Sequence, residues 1–253
     1  MIDIHQHILP DFDDGARNWE ESLEMARLAA GDGIGTIVAT PHILEPAKAH
    51  RRRILDAVAE LQRRIDRLEL GVKVLPGAEI TIGLMLPGLA AEGRMMTIAD
   101  QGRYLLVELP LNEAPPYTEQ VLFELLARGM RPIIAHPERN ADFCHDSRRL
   151  EKLIGEGCLT QISTGSLRGR FGSLPRKTAE SYMTRGMAHI LATDGHAHMR
   201  RRPLMEECRE MVAKRYGKET ATLMTEEHPR LAVEGRNFVA PTIGQPRKIL
   251  SWF

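Results

Sequence analysis

The chain has 253 residues, a length that suits one domain or at most two. Lysine plus arginine equals aspartate plus glutamate, at 34 each, so the net charge indicates neither a nucleic-acid nor a membrane partner. The chain lacks an apolar run of roughly 18 residues and a secretory signal pattern, so we expect no membrane insertion. The three cysteines have no metal-type spacing, and we interpret them as reduced thiols of a cytoplasmic protein.

Apolar, β-rich stretches alternate with helix-like stretches along the chain. This alternation predicts βαβ units with a parallel sheet, and seven such units suit a closed or nearly closed barrel. Several helices are predicted to end at a glycine just before the next strand, as at Gly129 and Gly157. The predicted strands are Ile2–Ile4, Thr36–Ala39, Val72–Leu75, Tyr104–Val107, Pro132–Ala135, Leu159–Ile162 and Ala188–Ala192. The predicted helices are Glu20–Ala30, Arg51–Leu68, Thr118–Arg128, Arg148–Glu156, Arg176–Thr184 and Leu204–Arg215, with Lys218–Glu226 as a further candidate.

Histidines and carboxylates follow most of the predicted strands at their C-terminal ends. His5 and His7 are spaced i and i+2 at the first strand, so both imidazoles face one side and can bind one metal. Barrel enzymes place their sites at this end of the strands, so clusters that are scattered in sequence are expected to meet. The other candidate ligands are Asp14, His42, Glu79, Glu108, His136, Asp194 and His196.

Imidazole and carboxylate ligands together suit zinc, iron and manganese. Nine candidate ligands exceed the capacity of one ion, so we expect two or three divalent metals. Such a cluster lowers the pKa of a bridging water, supplies hydroxide near neutral pH and neutralises phosphoryl oxygens. Arg139 and arginines of the run Arg200-Arg201-Arg202 are candidates for holding the remaining phosphate oxygens bidentately. These parts predict metal-dependent hydrolysis of a phosphate monoester.

Other polar positions have structural interpretations. His189 lies inside a predicted strand and is expected to be a hydrogen-bonded core histidine. Asp13 is interpreted as a structural neighbour of Asp14 in an Asx turn before Gly15. Glu138 is expected to support the ligands or to begin a helix. The stretch from Gly165 to Gly169 is glycine-rich, but the pattern is too short to indicate dinucleotide binding.

The ordered motifs resemble those of the polymerase and histidinol phosphatase (PHP) family. Within it, residues 1–200 resemble in particular the manganese-dependent protein-tyrosine phosphatases of bacterial capsule and exopolysaccharide operons. Ala197 departs from the asparagine usual in the family, and His198 is an additional imidazole. The motifs that carry the resemblance are His5-Gln6-His7, Asp13-Asp14-Gly15-Ala16, Thr40-Pro41-His42, Gly77-Ala78-Glu79, Leu106-Val107-Glu108-Leu109-Pro110, His136-Pro137-Glu138-Arg139 and Asp194-Gly195-His196.

The resemblance implies a distorted (β/α)7 TIM-like barrel with a trinuclear site, in which manganese is the first expectation and iron or zinc the alternatives. Arg139 matches the phosphate-contacting arginine of the family, and either Arg201 or Arg202 matches a second one. One ion would be held by His5, His7, Glu79 and Asp194, the second by Glu79, Glu108 and His136 with Glu79 bridging, and the third by Asp14, His42 and His196.

The resemblance also implies the substrate, which would be phosphotyrosine on a protein such as the tail of a bacterial tyrosine kinase. A small phosphate ester such as histidinol phosphate is the alternative substrate, and a catalytically silent binding module is the alternative class. We expect a single domain over residues 1–253, with 228–253 as an irregular strap or a homo-oligomer contact.

Overall fold

The computed structural model describes residues 1–48, 51–197, 199 and 201–239, over which parallel strands alternate with helices. The strands are β1 (Ile2–Gln6), β2 (Thr36–Ala39), β3 (His42–Ile43), β4 (Lys73–Pro76), β5 (Glu79–Thr81), β6 (Tyr104–Glu108), β7 (Arg131–Ala135), β8 (Leu159–Ser163) and β9 (Ile190–Ala192). The helices are α1 (Trp19–Gly31), α2 (Arg51–Arg67), α3 (Leu86–Ala91), α4 (Thr118–Ala127), α5 (Ala141–His145), α6 (Arg148–Glu156), α7 (Thr164–Leu167), α8 (Ser173–Thr184), α9 (Glu206–Tyr216), α10 (Lys218–Thr222) and α11 (His228–Val233).

Two short strands that were not predicted, β3 and β5, follow the strands β2 and β4 after a break, which divides the ladder into two sheets. Their strand orders are β1-β2-β4 and β3-β5-β6-β7-β8-β9. Pro41 separates β2 from β3 because proline has no N–H to donate to a ladder. Gly77 separates β4 from β5, and a Cβ at this position would lie only 2.6 Å from Val38 Cγ1. Since β3 continues β2 and β5 continues β4, the two sheets form one succession of seven strands.

The first and last strands lie side by side at the β1–β9 junction. Gln6 and Gly195 form a parallel bridge, the Asp194 N–H donates to the His5 carbonyl over 2.9 Å, and the His7 N–H donates to the Gly195 carbonyl over 2.8 Å. The α/β class with seven parallel βα units is therefore confirmed, and this junction supplies the pairing that a ring of strands needs.

The buried side chain of Asp3 stabilises the β1–β9 junction through hydrogen bonds. Its fully buried carboxylate accepts from Gln6 Nε2 at 3.0 Å, from the Thr193 N–H at 3.0 Å and from the His5 N–H at 3.3 Å. The Thr193 hydroxyl also donates to it. These bonds join the strand that carries His5 to the turn that carries Asp194.

The hydrophobic core has two layers because alternate residues of each strand face opposite sides. Leu105 and Val107 of β6 belong to the outer cluster, which includes the buried face of α2. Tyr104 and Leu106 belong to a smaller cluster made mainly by the strands themselves. Phe238 joins this inner cluster, where its ring lies 6.0 Å from that of Tyr104. The segment after α11 therefore completes the inner core.

The prediction of irregular chain from residue 228 onward was wrong for His228–Val233, which forms α11. Pro229 is compatible with this helix because it lies in the first turn, where the missing N–H has no intrahelical partner to lose. The candidate helix Lys218–Glu226 is α10 followed by a π-helical turn over Leu223–Glu227. Residues 240–253 of the expected strap lie outside the described residues, and the single-domain organisation stays a prediction.

None of the helices in the described ranges combines the length and the apolar character that a membrane crossing would require.

Replacing Asp3 by alanine is expected to lower the free energy of unfolding by about 2–4 kcal/mol, because several buried donors would lose their acceptor. Urea denaturation followed by circular dichroism measures this loss. Glu24→Ala, on the exposed side of α1, is the matched control and should change the free energy by less than about 0.5 kcal/mol. Equal stabilities for the two variants would contradict the role given to Asp3.

Candidate metal centre

The structure brings all the predicted ligands together at the C-terminal ends of the strands. Glu79, at the start of β5, lies at the centre and is fully buried. Its Oε2 lies 3.1 Å from His5 Nε2, 3.2 Å from His7 Nε2 and 3.1 Å from His42 Nδ1. Its Oε1 lies 2.9 Å from His136 Nε2. Four imidazoles that come from different places in the sequence thus surround one carboxylate.

Polar atoms converge at this centre in an arrangement that leaves some of them without a hydrogen bond. His5 Nε2 and His7 Nε2 face each other at 3.1 Å. His42 Nδ1 and Glu79 Oε2 are buried and have no hydrogen-bond partner in the described part of the chain. Buried lone pairs directed at a common point are costly unless a cation satisfies them. The donor set of imidazoles and carboxylates therefore fits divalent metal ions.

Among the described residues, four groups of candidate ligands have donor atoms close enough together to hold an ion. Two of the groups overlap with the sets implied by the resemblance. His5, His7 and Asp194 lie together but without Glu79, and Asp14, His42 and His196 lie together with His7 added. Glu108 groups with Glu79 and His42, whereas His136 groups with Glu79 and His5. Glu79 belongs to two groups, as a bridging carboxylate would. The assignment of each ligand to a particular ion stays a prediction.

The cluster is buried at its centre and open on one side. Asp14 is 70% exposed, and its Oδ1 lies 3.3 Å from His196 Nε2 and 3.6 Å from His42 Nε2. Glu108 is partly exposed, and burial together with the charge of Glu79 raises the pKa of its carboxyl to about 7. These two carboxylates therefore lie on the side from which a substrate can reach the centre.

Two side chains orient the histidines from outside the cluster. Asp13 Oδ2 accepts from His7 Nδ1 at 2.8 Å and from the His42 N–H at 2.8 Å, and its Oδ1 accepts from the Gly15 N–H at 2.9 Å. Burial opposes ionisation of Asp13, but the hydrogen bond and charge of His7 lower its pKa to about 2. Gln161 Oε1 lies 2.8 Å from His5 Nδ1. Such bonds fix the ring orientation and leave Nε2 of each imidazole for the metal.

Sequence reasoning placed Asp13 correctly as a structural neighbour but missed Gln161. The available signal was a long polar residue within β8, where Gln161 is fully buried between Thr160 and Ile162.

Arg139 and Arg201 both contact the candidate ligand Asp194. Arg139 Nη1 donates to Asp194 Oδ2 at 2.9 Å, and Arg201 also pairs with this oxygen. Burial alone would raise the pKa of Asp194, but the charges of His5 and Arg201 hold it well below its ordinary value. The Arg139 guanidinium lies 4.2 Å from the centre of the Phe171 ring. Arg201 and Arg202 both line a cavity beside the cluster, but it is Arg201 that pairs with Asp194, so the geometry favours Arg201 as the second arginine.

The backbone is left-handed at two of the candidate ligands. His136 has a φ of 30° and Asp194 a φ of 52°, a region that few non-glycine residues adopt. Both follow directly after or close to the end of a strand, where the chain must turn sharply to direct the side chain inward.

A family model described as "Capsular polysaccharide synthesis, CpsB/CapC" matches residues 1–234, which is most of the chain. The chain belongs to this family. The predicted resemblance to the phosphatases of capsule operons is thereby confirmed.

Two bacterial proteins and one crystal structure illustrate what this chain is similar to. The tyrosine-protein phosphatase YwqE of Bacillus subtilis is 34% identical, with 100% of both chains covered. The putative tyrosine-protein phosphatase CapC of Staphylococcus aureus is 37% identical, with 81% of this chain and 80% of the relative covered. A crystal structure from the pair YwqE and Streptococcus pneumoniae CpsB, described as unique metal-dependent tyrosine phosphatases, superposes with a TM-score of 0.90 at 33% identity and covers 100% of both chains.

His189 and Glu138, which were expected to have structural roles, are both buried and hydrogen-bonded. His189 is fully buried, and its Nδ1 accepts from the Thr160 N–H at 3.0 Å, which confirms a core histidine. Glu138 is also fully buried, and its Oε1 accepts from the Ser163 N–H at 3.0 Å and from Ser166 Oγ at 2.6 Å. His198 lies outside the described residues.

Asp13→Asn is expected to weaken metal binding about 10–100-fold, because the amide is a poorer acceptor for the His7 ring. Titration of chelator-treated protein with Mn2+, followed by calorimetry, measures the change. Asp11→Asn is the control, since Asp11 is exposed in the same loop and adopts a positive φ that asparagine tolerates. Equal affinities for the two variants would contradict the orienting role of Asp13.

The burial of Glu138 predicts that the free energy of unfolding depends on pH. Burial raises the pKa of its carboxyl from 4.5 to about 7, so the folded protein holds this proton more tightly than the unfolded chain. The stabilisation is present below pH 4.5 and is lost as the pH rises to about 7. Between pH 5 and 7.5 we expect wild type to lose about 1–3 kcal/mol more unfolding free energy than Glu138→Gln. Urea titrations in chelator measure this, and parallel losses in both proteins would refute it.

Proposed function

We propose that this chain is a metal-dependent protein-tyrosine phosphatase that regulates capsule or exopolysaccharide synthesis. The observation that carries the proposal is the convergence of nine imidazole and carboxylate side chains beside two arginines that share one carboxylate oxygen. Phosphoester hydrolysis needs a nucleophile and cationic groups that neutralise the phosphoryl oxygens, and this arrangement is suited to supply both. The names and descriptions of YwqE, CapC and CpsB agree with this chemistry.

The candidate ligands would hold two or three divalent ions, with manganese as the first expectation. Bound there, the metals would supply hydroxide near neutral pH and neutralise negative charge on the phosphoryl group. Glu79 suits a bridging role because its two oxygens face different histidines. The phenolate of tyrosine has an ordinary pKa of about 10, so it leaves with less protonation than an alkoxide needs.

Arg139 and Arg201 would orient the phosphate at the open edge of the cluster. Both guanidinium groups reach Asp194, so two sets of planar N–H donors are held next to the candidate ligands. Phe171 lies beneath Arg139 and limits its rotation, which preserves the direction of its donors. Arginine is suited to this task because its donor geometry matches two oxygens of one phosphate.

We further propose that the substrate is a phosphotyrosine-bearing protein such as the tail of a bacterial tyrosine kinase, and that the reaction takes place in the cytoplasm. The relatives' description as tyrosine phosphatases supports a phosphotyrosine substrate, and the family's role in capsule synthesis supports the pathway. All three cysteines are free thiols, as expected of a reducing compartment.

Phosphate release from metal-stripped protein, restored singly with Mn2+, Zn2+, Fe2+ or Mg2+, tests the proposal. A phosphotyrosine peptide and histidinol phosphate would be offered side by side. Metal-dependent preference for the peptide is the expected result. Preference for histidinol phosphate would mean that the substrate is a small phosphate ester and that the proposed chemistry still holds. No phosphate release from either compound with metals bound would refute a phosphatase of either kind.

His136→Ala is expected to abolish turnover while the fold is retained, because the variant would lose a ligand beside Glu79. The initial rate with the phosphotyrosine peptide measures turnover, and circular dichroism checks the fold. His145→Ala is the matched control, since His145 lies exposed at the end of α5. A wild-type rate for His136→Ala in a metal-replete assay would overturn the site assignment.

A further inference from the structure

A basic cavity of about 420 Å³ opens beside the metal centre. The loop between α7 and α8, which includes Arg168, Arg170 and Phe171, forms one wall. Arg201 and Arg202, from the segment before α9, also line it. We call this cavity the arginine pocket. None of the nine candidate metal ligands lines it, so it is a space distinct from the cluster.

The loop that forms the pocket is held by local packing. The Arg170 N–H donates to the Gly165 carbonyl over 2.9 Å. Gly165 leaves room for Phe171, because a Cβ at this position would lie 2.7 Å from the ring atom Cε2. The Phe171 ring in turn lies 4.2 Å from the Arg139 guanidinium and 5.6 Å from that of Arg201. The same aromatic ring therefore connects the pocket to the proposed phosphate-binding arginines.

Positive charge dominates the pocket. Four arginines line it, and the described lining residues include no aspartate or glutamate. Partial burial, followed by the charges of Arg201, Arg168 and Arg202, lowers the pKa of Arg170. Arg168 pairs with Glu207 at 3.2 Å, but both side chains are exposed, and such pairs contribute little and exchange easily. A cavity of this kind favours an anionic group.

The position of the pocket indicates where this anion comes from. Arg201 contacts Asp194 in the cluster and also lines the pocket. Thr193, which precedes Asp194, lines it as well. A group bound in the pocket would therefore lie beside a phosphate held at the metal centre, within reach of the same extended peptide.

We propose that the arginine pocket binds a second anionic side chain of the substrate peptide, a carboxylate or a phosphate that lies within a few residues of the phosphotyrosine. This inference rests on the proposed function and adds a preference among phosphotyrosine sequences. Charge-assisted hydrogen bonds from Arg168 and Arg170 would hold the second anion, whereas Arg139 and Arg201 orient the phosphate that is hydrolysed.

The test uses peptides of equal length that carry one phosphotyrosine. One peptide has neutral flanks, and the others have a glutamate or a phosphoserine at a single position from three residues before to three after the phosphotyrosine. With metal-loaded wild type, we expect KM at the best position to fall about tenfold below that of the neutral peptide, as for one or two charge-assisted hydrogen bonds. The glutamate and phosphoserine sets distinguish a carboxylate from a phosphate as the preferred anion.

Arg168→Ala and Arg170→Ala are each expected to reduce this tenfold difference to less than about threefold. Their rates on the neutral peptide and on phenyl phosphate should remain those of wild type, because neither arginine contacts Asp194 in the structure. Arg128→Ala is the matched control. Arg128 is an exposed arginine at the C-terminal end of α4, away from the ends of the strands that carry the cluster, and its removal deletes the same charge.

A binding measurement separates failure of this inference from failure of the proposed function. The same peptides, made with a non-hydrolysable phosphonate in place of the phosphotyrosine, would be labelled and titrated by fluorescence anisotropy. Tighter binding of the anionic peptides by wild type and the Arg128 variant, lost in the pocket variants, supports the inference even without turnover. Equal affinities for neutral and anionic peptides at every position, or a preference that survives both pocket substitutions, would overturn it.

Discussion

The site depends on the contacts between the buried carboxylate of Glu79 and the histidines around it. Four imidazoles approach its two oxygens, and none of these groups would be stable in an apolar interior alone. The barrel allows this arrangement because parallel strands end at one edge, where residues far apart in sequence become neighbours. Asp13 and Gln161, which are not candidate ligands, orient the rings of His7 and His5 through hydrogen bonds. The positions of these imidazoles are therefore set by residues outside the cluster.

Much of the fold could be predicted from the sequence because its signals are local. Alternating apolar stretches gave seven strands, and the i, i+2 spacing of His5 and His7 indicated a shared face. The interruptions of two strands could not be predicted in the same way. At Gly77 the ladder breaks because a neighbouring strand packs against the bare Cα, and that contact with Val38 is not encoded in any single stretch.

The candidate ligands could be predicted because their motifs are local, whereas the contacts that support them could not. Motifs identified the candidate ligands that the structure brings together because each motif is contiguous, whereas supporting contacts join residues that no motif contains. Gln161 orients His5 across 156 positions, and Phe171 contacts arginines from two different loops. The choice between Arg201 and Arg202 also required coordinates, since adjacent residues in a loop can point in different directions and sequence alone does not say which one turns inward.

The β1–β9 junction has a consequence for how the protein is made. Strand β1 leaves the ribosome first, but its partner around residues 192–195 follows almost two hundred residues later. Until then the edge of β1 has no neighbour on one side, and two of the nine candidate ligands, Asp194 and His196, have not been synthesised. Contacts of such large sequence separation form slowly. Closure of the strand succession and completion of the candidate ligand set are therefore late events in biogenesis, and until then the edge of β1 is open to pairing with other chains.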